Sequence, residues 1–257
     1  MKLPAIFFLL LCTLGVKSQS ASPELLNFIS FSGLENKTKS GYGSIDDPIP
    51  SGAFMNPSDM ANLRSRMLKL RNSWRWPDGQ PIDFSKRFST KAKSGDGILD
   101  CYSLVKPGST DTIRLYVDPY HQASAYYVPK GLAAVTLPVL EKEIAPYVKE
   151  IEAIEASSDA SQLKASSRQV FGYLNQNIGL KGLVDGDALQ AVLSDKEAEK
   201  ELKDLLLEAY VLNKFYAYAK NLPEAKQYAY SKMKANFEEY LVAHPEAKTG
   251  TLKTSIK

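Results

Sequence analysis

His121 stands three residues after Asp118, where an alternating apolar run gives way to Pro119 and Tyr120. A carboxylate at that spacing can orient an imidazole and raise its pKa, which general acid–base chemistry needs. Loops at strand ends are common homes for such groups. Asp-Pro is also an ordinary turn starter, and the sequence supplies neither an evident nucleophile nor a metal partner. Asp118 and His121 are the candidate catalytic pair of a hydrolase-like site, with a plain turn as the competing reading.

A second candidate is a run of charge. Between Arg64 and Lys93 lie nine basic residues (Arg64, Arg66, Lys69, Arg71, Arg75, Lys86, Arg87, Lys91 and Lys93) against only Asp78 and Asp83. Trp74, Trp76, Phe84 and Phe88 are interleaved with them. Cations mixed with aromatic rings suit polyanions, glycans or an anionic membrane. Arg64, Arg71, Trp74, Arg75, Trp76 and Arg87 are therefore the candidate ligand-binding residues. From Glu141 to Asp204 thirteen acids face eight bases, so the basic segment could equally be neutralised inside the fold.

Motifs that would name a reaction are missing: no zinc-spaced Cys pair, HExxH, Gly-x-Ser-x-Gly, Walker loop or dinucleotide fingerprint occurs. No metal or cofactor is expected. Ser231-Lys232-Met233-Lys234 and Lys248-Thr249-Gly250 imitate the Ser-x-x-Lys and Lys-Thr-Gly of penicillin-binding enzymes. They lie too close in sequence, without the intervening Ser-Asp-Asn, and read as chance. Asp185-Gly186-Asp187 opens like a calcium loop but lacks the later ligands, so a helix cap fits better.

The compartment is read from the first residues. Lys2 precedes an apolar run from Leu3 to Leu14, closed by Gly15 and the smaller residues that follow. This order is that of a secretory signal, and about a dozen apolar residues fall short of the roughly 20 a membrane span needs. Residues 1–18 are expected to be removed, with cleavage after Ser20 as the alternative. A secreted or periplasmic location follows, with no transmembrane segment in the mature chain. Cleavage takes Lys2 and Lys17 and no acid, so a formal charge of +3 becomes about +1. Near neutrality and export both argue against nucleic acid. Of the two cysteines only Cys101 would remain, read as a small buried hydrophobe.

The elements that must position these groups are legible as periodicities. Residues 19–57 are rich in Ser, Gly, Pro and Asn and read as an extended lead-in. Asn36-Lys37-Thr38 within it is a glycosylation acceptor in a eukaryotic host. Over 58–135, Ser58 or Asp59 caps a helix bearing Met60, Leu63, Met67, Leu70 and Trp74, and an antiparallel hairpin spans 98–118. A short strand at 125–128 joins the hairpin's sheet. From residue 136 to 246 the period becomes 3.6: a helix through Pro146, a second at 159–177, and a long one opened by Ser194 to Glu197 as a capping box. That long helix pairs with a last helix as an αα-hairpin. Residues 247–257 read as a flexible tail.

Strands followed by helices give an α+β fold, a small antiparallel sheet packed against a C-terminal multi-helix bundle. The leading functional expectation is a non-enzymatic envelope or secreted binding protein. Its partner would be an anionic glycan, a lipid surface or an envelope protein. The alternatives are a hydrolase-like enzyme at Asp118 and His121, and an assembly factor that binds through the eight aromatics between Tyr210 and Tyr240.

Overall fold

The computed structural model describes residues 21–256 apart from 57, 94, 96, 157–159 and 185–186. The expected export signal and the Asp185-Gly186 pair lie outside the described residues. The fold is α+β, and its buried side chains form two clusters.

The first cluster is helical and mainly aliphatic. It gathers α1 (Pro23–Ile29), α3 (Leu137–Ala156), α4 (Ala160–Ile178), a 3-10 turn at Leu180–Leu183, and α5 (Asp187–Leu193). The αα-hairpin of α6 (Lys200–Ala219) and α7 (Ala225–Ala243) completes it, closed by the single turn α8 (Leu252–Ser255). Leu140 and Ile144 of α3, Leu174 of α4 and Leu202 and Leu206 of α6 are all but solvent-free. They recur at three- and four-residue steps, as an inward helix face must.

The second cluster is aromatic and rests on short strands. A four-stranded sheet has the order β2 (Ile49–Pro50), β6 (Thr112–Asp118), β5 (Ile98–Val105), β4 (Arg87–Lys91). The expected hairpin is β5–β6, in register from Asp100 opposite Val117 to Val105 opposite Thr112. Its buried side chains come from both faces of β5: Leu99 and Cys101 on one, Tyr102 and Leu104 on the other. Helix α2 (Met60–Asn72) starts at the expected cap, where Asp59 Oδ1 accepts from the Asn62 amide at 2.9 Å. It covers one side of this cluster with Leu70, and Trp74 follows directly in β3 (Trp74–Arg75).

Four expectations are corrected. The lead-in is not wholly extended, and it is built into both cores. Ser22 caps α1, Pro23 takes a first-turn position, Leu25 and Ile29 enter the helical cluster, and Phe31 enters the aromatic one. The short strand at 125–128 does not extend the hairpin's sheet. As β7 (Tyr126–Val128) it pairs in parallel with β1 (Leu34–Thr38). Gly33 makes that approach feasible, since its φ is +78° and a Cβ there would lie 2.3 Å from the Ser124 carbonyl oxygen.

The tail is not loose. Leu252 and Ile256, one turn apart, are buried against the helical cluster. Asp195 accepts from the Thr251 amide at 2.6 Å and its hydroxyl at 2.5 Å. That engagement also displaces the expected capping box: α6 begins at Lys200, and Asp195 serves the Glu197 and Ala198 amides and the tail instead.

The clusters are joined at β3, which pairs with β8 (Ala133–Ala134) just before α3. Arg75, 2% exposed, donates through Nε and Nη2 to Glu143 of α3 at 3.0 and 2.9 Å. Its Nη1 donates to the Asn72 and Trp74 carbonyls, both at 2.9 Å. Every edge of the guanidinium is thereby matched, the condition under which a buried charge is tolerated.

Candidate functional site

Asp118 closes β6, and its backbone is fixed from outside the strand. Its carbonyl oxygen accepts from the Ser51 amide at 2.8 Å and the Ser51 hydroxyl at 3.3 Å. Pro119 then forces the chain out of the strand. The carboxylate is used twice. Oδ1 accepts from the Tyr120 and His121 amides at 2.8 and 3.2 Å, and Oδ2 lies 2.7 Å from His121 Nδ1. An ionised carboxylate only accepts, so in that pairing Nδ1 donates and Nε2 is the nitrogen left outside it. The local turn and the oriented imidazole coexist, because one carboxylate oxygen makes each.

This pair borders an open depression of about 480 Å³ at the end of the four-stranded sheet. Ile45, Pro48, Ile98 and Tyr120 supply apolar lining, with Lys93 and Asp46 beside them in an ion pair of 2.6 Å. Ile98 and Tyr120 are half exposed, at 50% and 45%. The His121 side chain is 79% exposed. None of the described lining residues is a Ser, Thr or Cys nucleophile. Among the described residues no group of three His, Cys, Asp or Glu side chains is placed to hold a metal ion. The arrangement can move a proton at Nε2 and present a wet apolar rim, and it does not exclude water.

The basic–aromatic segment is split by the fold. Trp74, Arg75 and Trp76 are buried at 0%, 2% and 3%, so they form no binding face. The Trp74 indole donates to the Tyr127 carbonyl at 3.0 Å, and its ring meets Phe31 at 5.9 Å. Arg75 is spent on Glu143. The sequence excess of acids in α3 thus neutralises one of the six candidate residues, as the competing reading required.

Arg64, Arg71 and Arg87 remain at the surface. Seven residues apart on α2, Arg64 and Arg71 share a helix face. Arg71 and Arg87 converge on Tyr102 of β5, where both counter the upward push that burial gives the phenol. The Asp83 carboxyl is held below its ordinary range by the Ser85 amide and hydroxyl, with Lys86 and Arg71 adding to the effect. Arg71, Lys86 and Arg87 therefore form one cationic neighbourhood, and Arg64 extends it along α2. Arg87 also reaches the buried Asp100 at 3.4 Å. Burial pushes that carboxyl up, against the pull of Arg87 and Ser89.

The aromatics of the last helices are largely core. Tyr210, Phe215, Phe237 and Tyr240 are buried, and Tyr216, Tyr218, Tyr228 and Tyr230 are half-buried. Of the imitated penicillin-binding motifs, Ser231 donates to the Tyr228 carbonyl on α7, and Lys248 to Gly250 sit in the docked tail.

Sequence reasoning missed Ile98, Tyr120, Lys93 and Asp46 as companions of His121. Only the sheet brings positions 46, 93, 98 and 121 to one end, so no local spacing signals it. No family model, no curated protein and no solved structure matches this chain.

Proposed function

We propose that the protein is exported and works as a non-enzymatic binding protein for an anionic partner, held on the Arg64–Arg71–Lys86–Arg87 surface. The observation that supports this is the convergence of two exposed arginines, Arg71 of α2 and Arg87 of β4, on Tyr102, with Arg64 two turns away on the same face of α2. A glycan, a lipid surface or an envelope protein can each present the required negative charge. Arginine is suited to all three, because its planar fork matches sulfate, phosphate and carboxylate. The N-terminal basic, apolar and small-residue order supports export.

Retention on a sulfated polysaccharide and on phosphatidylglycerol vesicles tests the reading at two salt concentrations. Wild type should bind at low salt and release as ionic strength rises, since exposed charges are screened over ~8 Å at 0.15 M. Combined Arg64→Ala, Arg71→Ala and Arg87→Ala should abolish retention, with Arg64→Ala and Arg71→Ala each moving stability by under about 0.5 kcal/mol and Arg87→Ala costing more because it unpairs the buried Asp100. Equal retention by the triple variant, or release that ignores salt, rejects the surface.

A second reading rests on the 2.7 Å bond between Asp118 and His121. It makes the depression a proton-transfer site of a hydrolase-like enzyme. A panel of chromogenic ester, phosphate and glycoside substrates tests it. Turnover that disappears in His121→Asn and Asp118→Asn supports catalysis, and turnover that persists in both removes it.

A further inference from the structure

Ala21 is held in a specific way. The residue is 1% exposed, and its nitrogen lies 2.7 Å from Oε1 of Glu141 on α3. The next residue, Ser22, is 3% exposed, donates its amide to the Tyr218 carbonyl of α6 at 2.9 Å, and caps α1. A side-chain carboxylate thus receives a main-chain nitrogen across 120 positions of sequence. A neutral amide satisfies the hydrogen bond and leaves the charge of the half-buried glutamate to solvent. An α-ammonium at the same place satisfies both.

The sequence supplies the means of making one. Ser18 and Ser20 are the small residues three and one positions before Ala21, the pattern read by peptidases that remove export signals. We infer that the Ser20–Ala21 bond is the processing site, and that the new amino group of Ala21 is the built-in partner of Glu141. The inference rests on the export reading above and chooses between the two bonds that the sequence alone left open. Chemically, water adds across the Ser20–Ala21 amide. Ser20 leaves with the hydroxyl as a carboxylate, and Ala21 keeps the hydrogen as an amine that takes up a proton. The protonated amine then forms a charge-assisted bond in a half-buried setting, where such bonds are shorter and stronger than neutral ones.

The processed form should accordingly fold with its N-terminus pinned between α3 and α6, and any residue retained before Ala21 would replace the ammonium with an amide.

The full chain, expressed in a secreting host, provides the test. N-terminal sequencing and intact mass of the exported protein should give Ala21 as the first residue. The α-amine should then react with a limiting acylating reagent at least about tenfold more slowly than in Glu141→Gln, the factor a charge-assisted bond of ordinary strength supplies. Melting curves of the two proteins would confirm that both are folded during labelling, and the N-terminal residue is read on wild type without any variant. Exported protein that begins at Gln19 or elsewhere overturns the inference and leaves the export reading standing. Intact chain with Met1, retained in the cells, overturns both. Equal labelling rates in wild type and Glu141→Gln remove the ammonium–Glu141 pair.

Discussion

The helical and aromatic clusters solve the same problem of burial by different means. In the helical cluster, aliphatic side chains recur along long helices, and Asn213 answers part of its polarity within its own helix by donating to the Ala209 carbonyl. In the aromatic cluster, Phe31, Trp74, Tyr102 and Tyr126 come from short segments far apart in sequence. Two of their polar groups find partners far away: Tyr126 Oη donates to the Pro50 carbonyl, and the Phe31 amide donates to the Ser73 hydroxyl. Periodic elements make a core that local sequence announces. Large rings on short strands make one that only the assembled fold can satisfy.

The sharpest way to break this comparison is at the junction between the clusters. Arg75→Ala should cost about 3–5 kcal/mol in urea unfolding, because it strands Glu143 and the Asn72 and Trp74 carbonyls. If Arg75→Met retains wild-type stability, the junction is held by packing and the charge is dispensable. Next come matched truncations. Phe31→Ala should cost about 3–5 kcal/mol and Leu206→Ala about 2–5. The aromatic loss should be the larger of the two, since Phe31 also stacks on Tyr126 at 4.1 Å, and such pairs add about 0.5–1.5 kcal/mol.

A smaller effect is expected at Cys101, which is solvent-free on β5 and whose thiol is pushed up by burial. Native protein should label slowly with thiol reagents. Cys101→Ser should cost about 1–3 kcal/mol by burying a poorly paired hydroxyl. A rapid reaction would show that the sheet opens locally.

The smallest effect should be confined to the tail. Asp195 is depressed to about 2, chiefly by the Thr251 hydroxyl and amide. A lowered carboxylate pKa stabilises the fold above the ordinary value near 3.9, and that contribution is lost as pH falls through about 2. Docking of residues 248–256 should therefore persist through mildly acidic conditions. Asp195→Asn should expose the tail to limited proteolysis at neutral pH while leaving the main unfolding transition nearly unchanged. Tail cleavage equal to wild type would locate the docking energy in Leu252 and Ile256 alone.

The same contrast explains what could be read from sequence. The hairpin, α2 and the α6–α7 pair were legible because each carries its own period. Asp118 and His121 were legible because the turn that joins them is local. Strand β4 was not, since Arg87 to Lys91 is a mostly exposed edge strand with no alternation of burial. Trp74, Arg75 and Trp76 misled because a charge flanked by rings reads as surface until a glutamate 68 positions away is placed beside it. Seven-residue α1 and single-turn α8 are too short to show periodicity, although both are anchored by buried aliphatic residues.

The bond from Ser22 to Tyr218 and the parallel pairing of β1 with β7 have a bearing on the order of folding. Both close very long loops, and contacts of that kind form late because their entropy is spent before they return any stability. Residues 21–38 should be the last portion of the chain to seat, threading one end into each core. A synthetic peptide of that segment should then complement a chain that starts at residue 39, restoring cooperative unfolding when the two are mixed. Failure of the shorter chain to acquire any helix before the peptide is added would instead make this segment part of the folding nucleus.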